Sequence, residues 1–315
     1  MEKLKNQEIL DLEAIDIAVE EINKRSPKIG LASFYDSGLF TKAHIDHDIK
    51  DVENKRREIL EQKVNLSEYQ KSRDKIAEFV EVSIPEAIRN LGWLGENVNV
   101  IRPSDWDDYF RGIDNVVQML PDEIIEDEND LKCIGFSIDF TISEKSALDK
   151  VFEASLAIAR GKVPSMQYFS ADIKTKDGDK NIKLRDFKIP RIIMSCPDDV
   201  LNKSKNDLLN YEKNPDDENI KEKAKDCVLR YHFIKETLSQ LEFFSDLSSK
   251  LGNTEAEKVY SESLEIFKEL IEEQGIDEKL IKEKTGGVKG LIGAFDLEAN
   301  NGQWIEILKV MAKNK

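Results

Sequence analysis

Two short β-patterned runs bracket an acidic loop, and this arrangement commits the middle of the chain to a sheet. The first run is Gly112 to Met119; the second is Cys133 to Ile142, where Ile134, Phe136, Ile138, Phe140 and Ile142 alternate with smaller or polar residues. The segment between them, Pro121 to Asp130, is rich in carboxylates, and a turn centred on Glu126-Asp127 folds the runs into an antiparallel hairpin. Facing residues in such a hairpin keep a constant index sum, so Asp114 is expected opposite Asp139, with the two Cβ atoms about 5 Å apart. Two carboxylates at that separation repel each other unless a cation joins them. Asp139 lies inside an apolar run, where an unpaired charge is costly, and Ser137 and Thr141 on its face leave room for an ion or ligand. The approach to Asp114, Ser104-Asp105-Trp106-Asp107-Asp108-Tyr109-Phe110-Arg111, mixes aromatics with carboxylates and reads as the rim of a site. The competing account is simpler, since aspartates also occur at strand ends and on solvated sheet faces.

Helical patterns flank the hairpin. Upstream, Ile76, Phe79, Val80, Ile84, Ala87, Ile88 and Leu91 mark a helix that also carries Glu78, Glu81 and Glu86. Downstream, Ser146 is expected to cap a helix through Leu148, Val151, Phe152, Leu156 and Ala159, ending at Gly161. A short strand, Ser165 to Phe169, follows. Helix, acid-bearing hairpin, helix and strand in this order resemble the core of the PD-(D/E)XK nuclease superfamily, the restriction-endonuclease-like fold, over about residues 70 to 195. The strings Asp107-Asp108-x-x-x-Gly112-Ile113-Asp114 and Ile138-Asp139-Phe140-Thr141 are also similar to segments of bacterial proteins that bring no activity with them.

The resemblance implies an α/β (α+β) fold, a mixed β-sheet core of restriction-endonuclease-like type flanked by N- and C-terminal helices. It makes Asp114 the first metal-binding aspartate and Asp139 the acid of the second motif. The family's lysine two positions later is replaced by Thr141, so Lys145 or Lys150 of the following helix is expected to supply the ammonium. Gln167 and Tyr168 match the glutamine and tyrosine that some branches place after the core. The cofactor implied is Mg2+ or Mn2+, because phosphodiester hydrolysis needs a cation that neutralises phosphoryl oxygens and lowers the pKa of a bound water, and magnesium takes oxygen ligands. Glu81, or Glu78 one turn away, is the candidate helix-borne carboxylate, whereas Ser83-Ile84-Pro85-Glu86 reads as a capping box at a helix start and gives Glu86 a structural duty.

Charge limits the partners. The chain of 315 residues carries a net charge of −16, which disfavours general non-specific binding to nucleic acid. Nucleic acid would have to be met by a local patch. The one clearly basic stretch is Lys174, Lys176, Lys180, Lys183, Arg185, Lys188 and Arg191, with Lys183 and Arg185 as candidate substrate contacts. The alternative for this stretch is a solvated hairpin around Asp177-Gly178-Asp179. Cys133, Cys196 and Cys227 form neither a zinc motif nor a disulfide framework, which points to a reducing cytoplasm. No apolar run is long enough to cross a bilayer, and the N-terminal residues lack the apolar core of a signal peptide.

Three regions are expected: an N-terminal helical region, 1–69; the nuclease-like core, 70–197; and a C-terminal helical region, 198–315. Residues 1 to about 25 and about 42 to 82 are charge-rich and helical in period, separated by the turn-prone Ser26-Pro27-Lys28-Ile29-Gly30. Phe187 to Met194 reads as a buried strand, and Cys227 to Leu251 and Glu255 to Gln274 as helices. His44-Ile45-Asp46-His47-Asp48 sets two imidazoles among carboxylates, as a metal site or as a polar helix face. Thr285 to Gly293 is glycine-rich but lacks the lysine and hydroxyl of a phosphate loop. Two functions follow: a metal-dependent nuclease using Asp114, Asp139 and a displaced lysine, or a catalytically inactive nuclease-like fold that binds protein partners through its helical arms.

Overall fold

The computed structural model describes residues 2–119, 134–141, 143–175, 178–286, 290–291 and 297–313. It is a mixed α/β protein: a small mixed sheet flanked by helices. The N-terminal part holds α1 (Glu2–Arg25), a short 3-10 turn (Leu31–Phe34), α2 (Lys42–Val64) and α3 (Glu68–Asn90). The stretch of helical period over about 42 to 82 is divided between α2 and α3, because Ser67 caps a new start: its hydroxyl accepts from the Gln70 amide while the Gln70 side chain accepts from the Ser67 amide. The boundary expected at residues 69/70 falls in the first turn of α3.

The sheet is β1 (Val98–Ile101), β2 (Asn115–Met119), β3 (Ile134–Thr141) and β6 (Arg191–Ser195), in that order, with α4 (Asp105–Arg111) between β1 and β2 and α5 (Glu144–Ala159) after β3. β1 and β2 are antiparallel, β2 and β3 antiparallel, and β3 and β6 parallel. The pairs run from Asn115↔Ile138 to Met119↔Ile134, and the Asp114 amide donates to the Ile138 carbonyl at 2.9 Å, so the register is the one that sets Asp114 opposite Asp139. The turn expected at Glu126-Asp127, and Cys133, fall outside the described residues. Adjacent residues of a strand face opposite ways. Phe136 meets Phe233 and Phe267, whereas Val116, across from Ser137, joins Met166 and Phe169. Asp114 and Asp139 share the alternation of Val116 and Ser137, and so the face of the second cluster.

That second face is covered by a separate two-stranded hairpin, β4 (Ser165–Thr175) with β5 (Gly178–Lys188). The strand expected over 187–194 is in fact two. β5 ends at Lys188, Ile189-Pro190 turns the chain, and β6 begins at Arg191; proline, with no N–H to donate, suits the break between sheets. The opposite face is covered by α8 (Val228–Leu251) and α9 (Thr254–Glu273), preceded by α6 (Asp198–Lys213) and α7 (Glu218–Lys225) and followed by α10 (Glu278–Thr285) and a closing helix, Leu297–Lys313. α8 and α9 match the expected spans within one residue. Among the described residues no helix is long and apolar enough to cross a membrane.

Candidate functional site

The candidate site is assembled where the end of α4, the start of β2 and the middle of α3 converge. Ser104 caps α4, accepting from the Asp107 amide at 3.1 Å and donating to Asp107 Oδ2 at 2.8 Å. Asp107 is fully buried and accepts from the amides of Gln167 (2.6 Å) and Tyr168 (3.0 Å), which ties α4 to β4. Burial raises its pKa against these hydrogen bonds. With Asp107 turned to β4, its neighbour Asp108 joins Glu81 and Asp114. One carboxylate oxygen from each of these three lies within 4.8 Å of the others.

Glu81 is brought to this place by an irregularity in α3. Pro85 lies inside the helix rather than at a start, so the capping box expected at Ser83 to Glu86 does not form. Proline has no N–H to bond the carbonyl four residues back, which is that of Glu81. Asn115 Nδ2 donates to this carbonyl instead, at 3.1 Å, pinning the turn that carries Glu81 to the residue beside Asp114. Glu86 is buried elsewhere, accepting from Ser26 (2.6 Å), Arg89 (2.5 Å) and Asn90 (2.8 Å). Glu78 is exposed.

Asp114 and Asp139 oppose each other as expected but have different partners. Asp114 Oδ2 accepts from the Phe140 amide at 2.5 Å. Asp139 is 2% exposed, with Oδ1 paired to Lys150 at 2.5 Å and Oδ2 to the Arg191 guanidinium. Both of its oxygens are therefore engaged by cations of this chain, and the carboxylate cluster open to a metal is Glu81, Asp108 and Asp114. Of the two lysines expected near the site, Lys150 is the one that reaches Asp139. Lys145 stands exposed in the first turn of α5, because the cap is Ser143, which accepts from the Ser146 amide, and not Ser146. Gly112 makes the arrangement possible: it ends α4 at φ +63°, and a Cβ there would sit 2.6 Å from Arg191 and 3.4 Å from Asp139 Oδ2.

Burial and neighbouring like charges set the protonation of this cluster. Burial, and then Asp108, raise Glu81 to about 7. Burial, followed by Glu81, Asp139 and Asp108, holds Asp114 well above the usual carboxylate range. Burial also raises Asp108, against the pull of Lys28. Lys28 pairs with Asp108 and lies 3.2 Å from Asp105; burial lowers its pKa, but these acids outweigh it and the ammonium is held above its ordinary value. All three donors are carboxylate oxygens, the set that magnesium and manganese prefer. Carboxyl groups that raise one another's pKa in this way form a site a divalent cation would discharge.

The other expected residues lie elsewhere. Gln167 Nε2 and the Tyr168 hydroxyl both donate to Asp48 at 2.7 Å, on α2. Lys183 donates to the Ser33 carbonyl at 2.5 Å and lies over the Phe34 ring; Arg185 lies over Phe40 and pairs with Asp186. Their strand pairs Tyr168↔Arg185 and Ser170↔Lys183 place them with β4 on the 3-10 turn. Lys28, Asp108, Arg191 and Gly112 were not singled out as site residues by the sequence. The run of acids before Gly112 was the one signal that marked Asp108, and Arg191 closed the basic stretch. No family model matches the chain, and neither a curated protein nor a solved structure matches it.

Proposed function

We propose that the protein is a divalent-metal-dependent phosphodiesterase acting on nucleic acid, with a PD-(D/E)XK-like core of restriction-endonuclease type in which the lysine has moved to α5. The observation that carries this proposal is the convergence of Glu81, Asp108 and Asp114 from three elements, beside an Asp139 that holds Lys150 and Arg191. The order α3, β2–β3, α5 supports the resemblance, but the strand expected next, Ser165–Phe169, pairs with β5 in the separate hairpin, and the strand that joins β3 in parallel is β6.

In this proposal Glu81, Asp108 and Asp114 hold Mg2+ or Mn2+. The cation supplies charge neutralisation at the phosphoryl oxygens and lowers the pKa of a bound water. Asp139 keeps the Lys150 ammonium and the Arg191 guanidinium at the edge of the cluster, where they donate to the oxygens of a phosphodiester. Glu81, whose carboxyl is raised to about 7, would serve as a ligand in its ionised form. Lys28 would have to release Asp108 for that carboxylate to serve as a ligand as well. Substrate contact through Lys183 and Arg185 is replaced by contact through Lys150 and Arg191, because the first two are engaged on the aromatic rings of the 3-10 turn and its flank.

A second proposal, a nuclease-like fold that binds protein partners without catalysis, is favoured by one observation. Lys28, Lys150 and Arg191 already neutralise Asp108 and Asp139 from within the chain. Manganese-dependent cleavage of single-stranded and duplex DNA and RNA separates the two. The enzyme loses activity with Asp114→Asn and with Lys150→Ala but not with Lys145→Ala. Absence of cleavage by the wild type and by Thr141→Lys, which restores the family's spacing beside Asp139, leaves the binding module.

A further inference from the structure

The geometry points to a transition-metal site on α2, separate from Glu81, Asp108 and Asp114, in which His47, Asp48 and Asp51 bind a zinc-like divalent ion. His44, His47, Asp48 and Asp51 are spaced by three, four and seven residues along the helix and so share one face. His47 Nδ1 lies 3.2 Å from Asp51 Oδ2 and 3.5 Å from Asp48 Oδ1, and the three donors lie within 4.8 Å of one another. Metal–ligand bonds of roughly 2.0–2.2 Å at tetrahedral angles separate neighbouring donors by roughly 3.3–3.6 Å. These edges already have the dimensions of a coordination shell.

Independent support comes from behind Asp48. This carboxylate is 5% exposed, and its Oδ2 accepts from both the Tyr168 hydroxyl and Gln167 Nε2 at 2.7 Å. With Oδ2 engaged by two buried donors, Oδ1 is the oxygen turned toward His47. Carboxylate ligands are oriented by such outer hydrogen bonds in metal sites, whereas an ion pair on a solvated helix face has no need of a buried, doubly anchored acid. His44 is a positioning residue: its ring stacks on Phe40 at 5.3 Å, and its Nε2 lies 3.4 Å from Asp48 Oδ2. The outer side is open, since the His47 side chain is 71% exposed, so the ion enters from solvent and water completes its coordination. An imidazole with two carboxylates suits Zn2+ or Co2+, while the all-oxygen set at Asp114 suits Mg2+ or Mn2+. The two sites therefore differ in the metal they take.

Titration of the full chain with Co2+, followed by visible absorption, with Zn2+ as competitor, tests the site. The expected result is tetrahedral Co2+ absorption, displaced by Zn2+, in the wild type and equally in Asp114→Asn. His47→Ala and Asp51→Asn, at accessible positions, should unfold like the wild type without metal and bind Co2+ at least tenfold more weakly, and Tyr168→Phe about tenfold more weakly through the loss of an outer hydrogen bond. Equal Co2+ affinity in His47→Ala and the wild type overturns the assignment, as does absorption lost with Asp114→Asn but kept with His47→Ala.

Discussion

Replacing Glu81 by glutamine should stabilise the metal-free protein at alkaline pH and leave it little changed in acid. In the fold the Glu81 carboxyl titrates near 7, raised from 4.5 chiefly by burial and then by Asp108. A group whose folded pKa is raised binds more protons folded than unfolded, so its contribution is fully present below about 4.5 and is lost as the pH rises through about 7. A rise of that size corresponds to roughly 3 kcal/mol, at about 1.4 kcal/mol per pKa unit, and sharing of the acid load with Asp114 makes about 2–3 kcal/mol the expected gain for Glu81→Gln at pH 8. Glutamine keeps the shape and removes the ionisation. Urea unfolding of both proteins at pH 5 and pH 8, in the presence of chelator, gives the difference directly. Addition of Mg2+ at pH 8 should then stabilise the wild type and not the variant. A Glu81→Gln protein that is less stable than the wild type by the same amount at both pH values refutes the electrostatic account of the cluster.

Asp139→Asn leaves Lys150 and Arg191 without their shared counter-charge and should cost about 3 kcal/mol, the lower end for a broken buried pair because both cations retain some water contact; chemical denaturation measures it. Gly112→Ala must place a side chain at positive φ and against Arg191, and should lower stability by about 2 kcal/mol or more in the same assay. Asn115→Ala orphans the Glu81 carbonyl and should cost about 1–3 kcal/mol. In a Pro85→Ala background, where a backbone N–H can take that carbonyl, the loss should be smaller by about 1 kcal/mol in a double-mutant cycle.

The hairpin was legible because its signal is local. Alternation from Ile134 to Ile142 fixed the faces, and the symmetry of the loop fixed the register that sets Asp114 against Asp139. α8 and α9 were legible for the same reason, as long periodic segments with clear caps. What escaped depends on contacts distant in sequence. Pro85 looks like a helix start until Asn115, thirty residues on, is seen to take the carbonyl it frees. Lys28, in a turn-prone segment, gives no local hint that it meets Asp108. The position of Gln167 and Tyr168 after the hairpin and its helix gives no sign of their partner, Asp48, which lies more than a hundred residues earlier. Sequence spacing leaves Lys145 and Lys150 both available, and only the cap at Ser143, three residues earlier than expected, and the pairing with Asp139 distinguish Lys150.

The most direct test of the central claim, that Glu81, Asp108 and Asp114 form a divalent-metal site, is the anomalous difference map of a crystal soaked in Mn2+. The account predicts a peak bonded to the Asp114 carboxylate, with Glu81 and Asp108 completing the protein ligands, the Lys28 ammonium withdrawn from Asp108, and Lys150 and Arg191 still on Asp139. A map with no peak there, and with Lys28 still paired to Asp108 at saturating Mn2+, contradicts it.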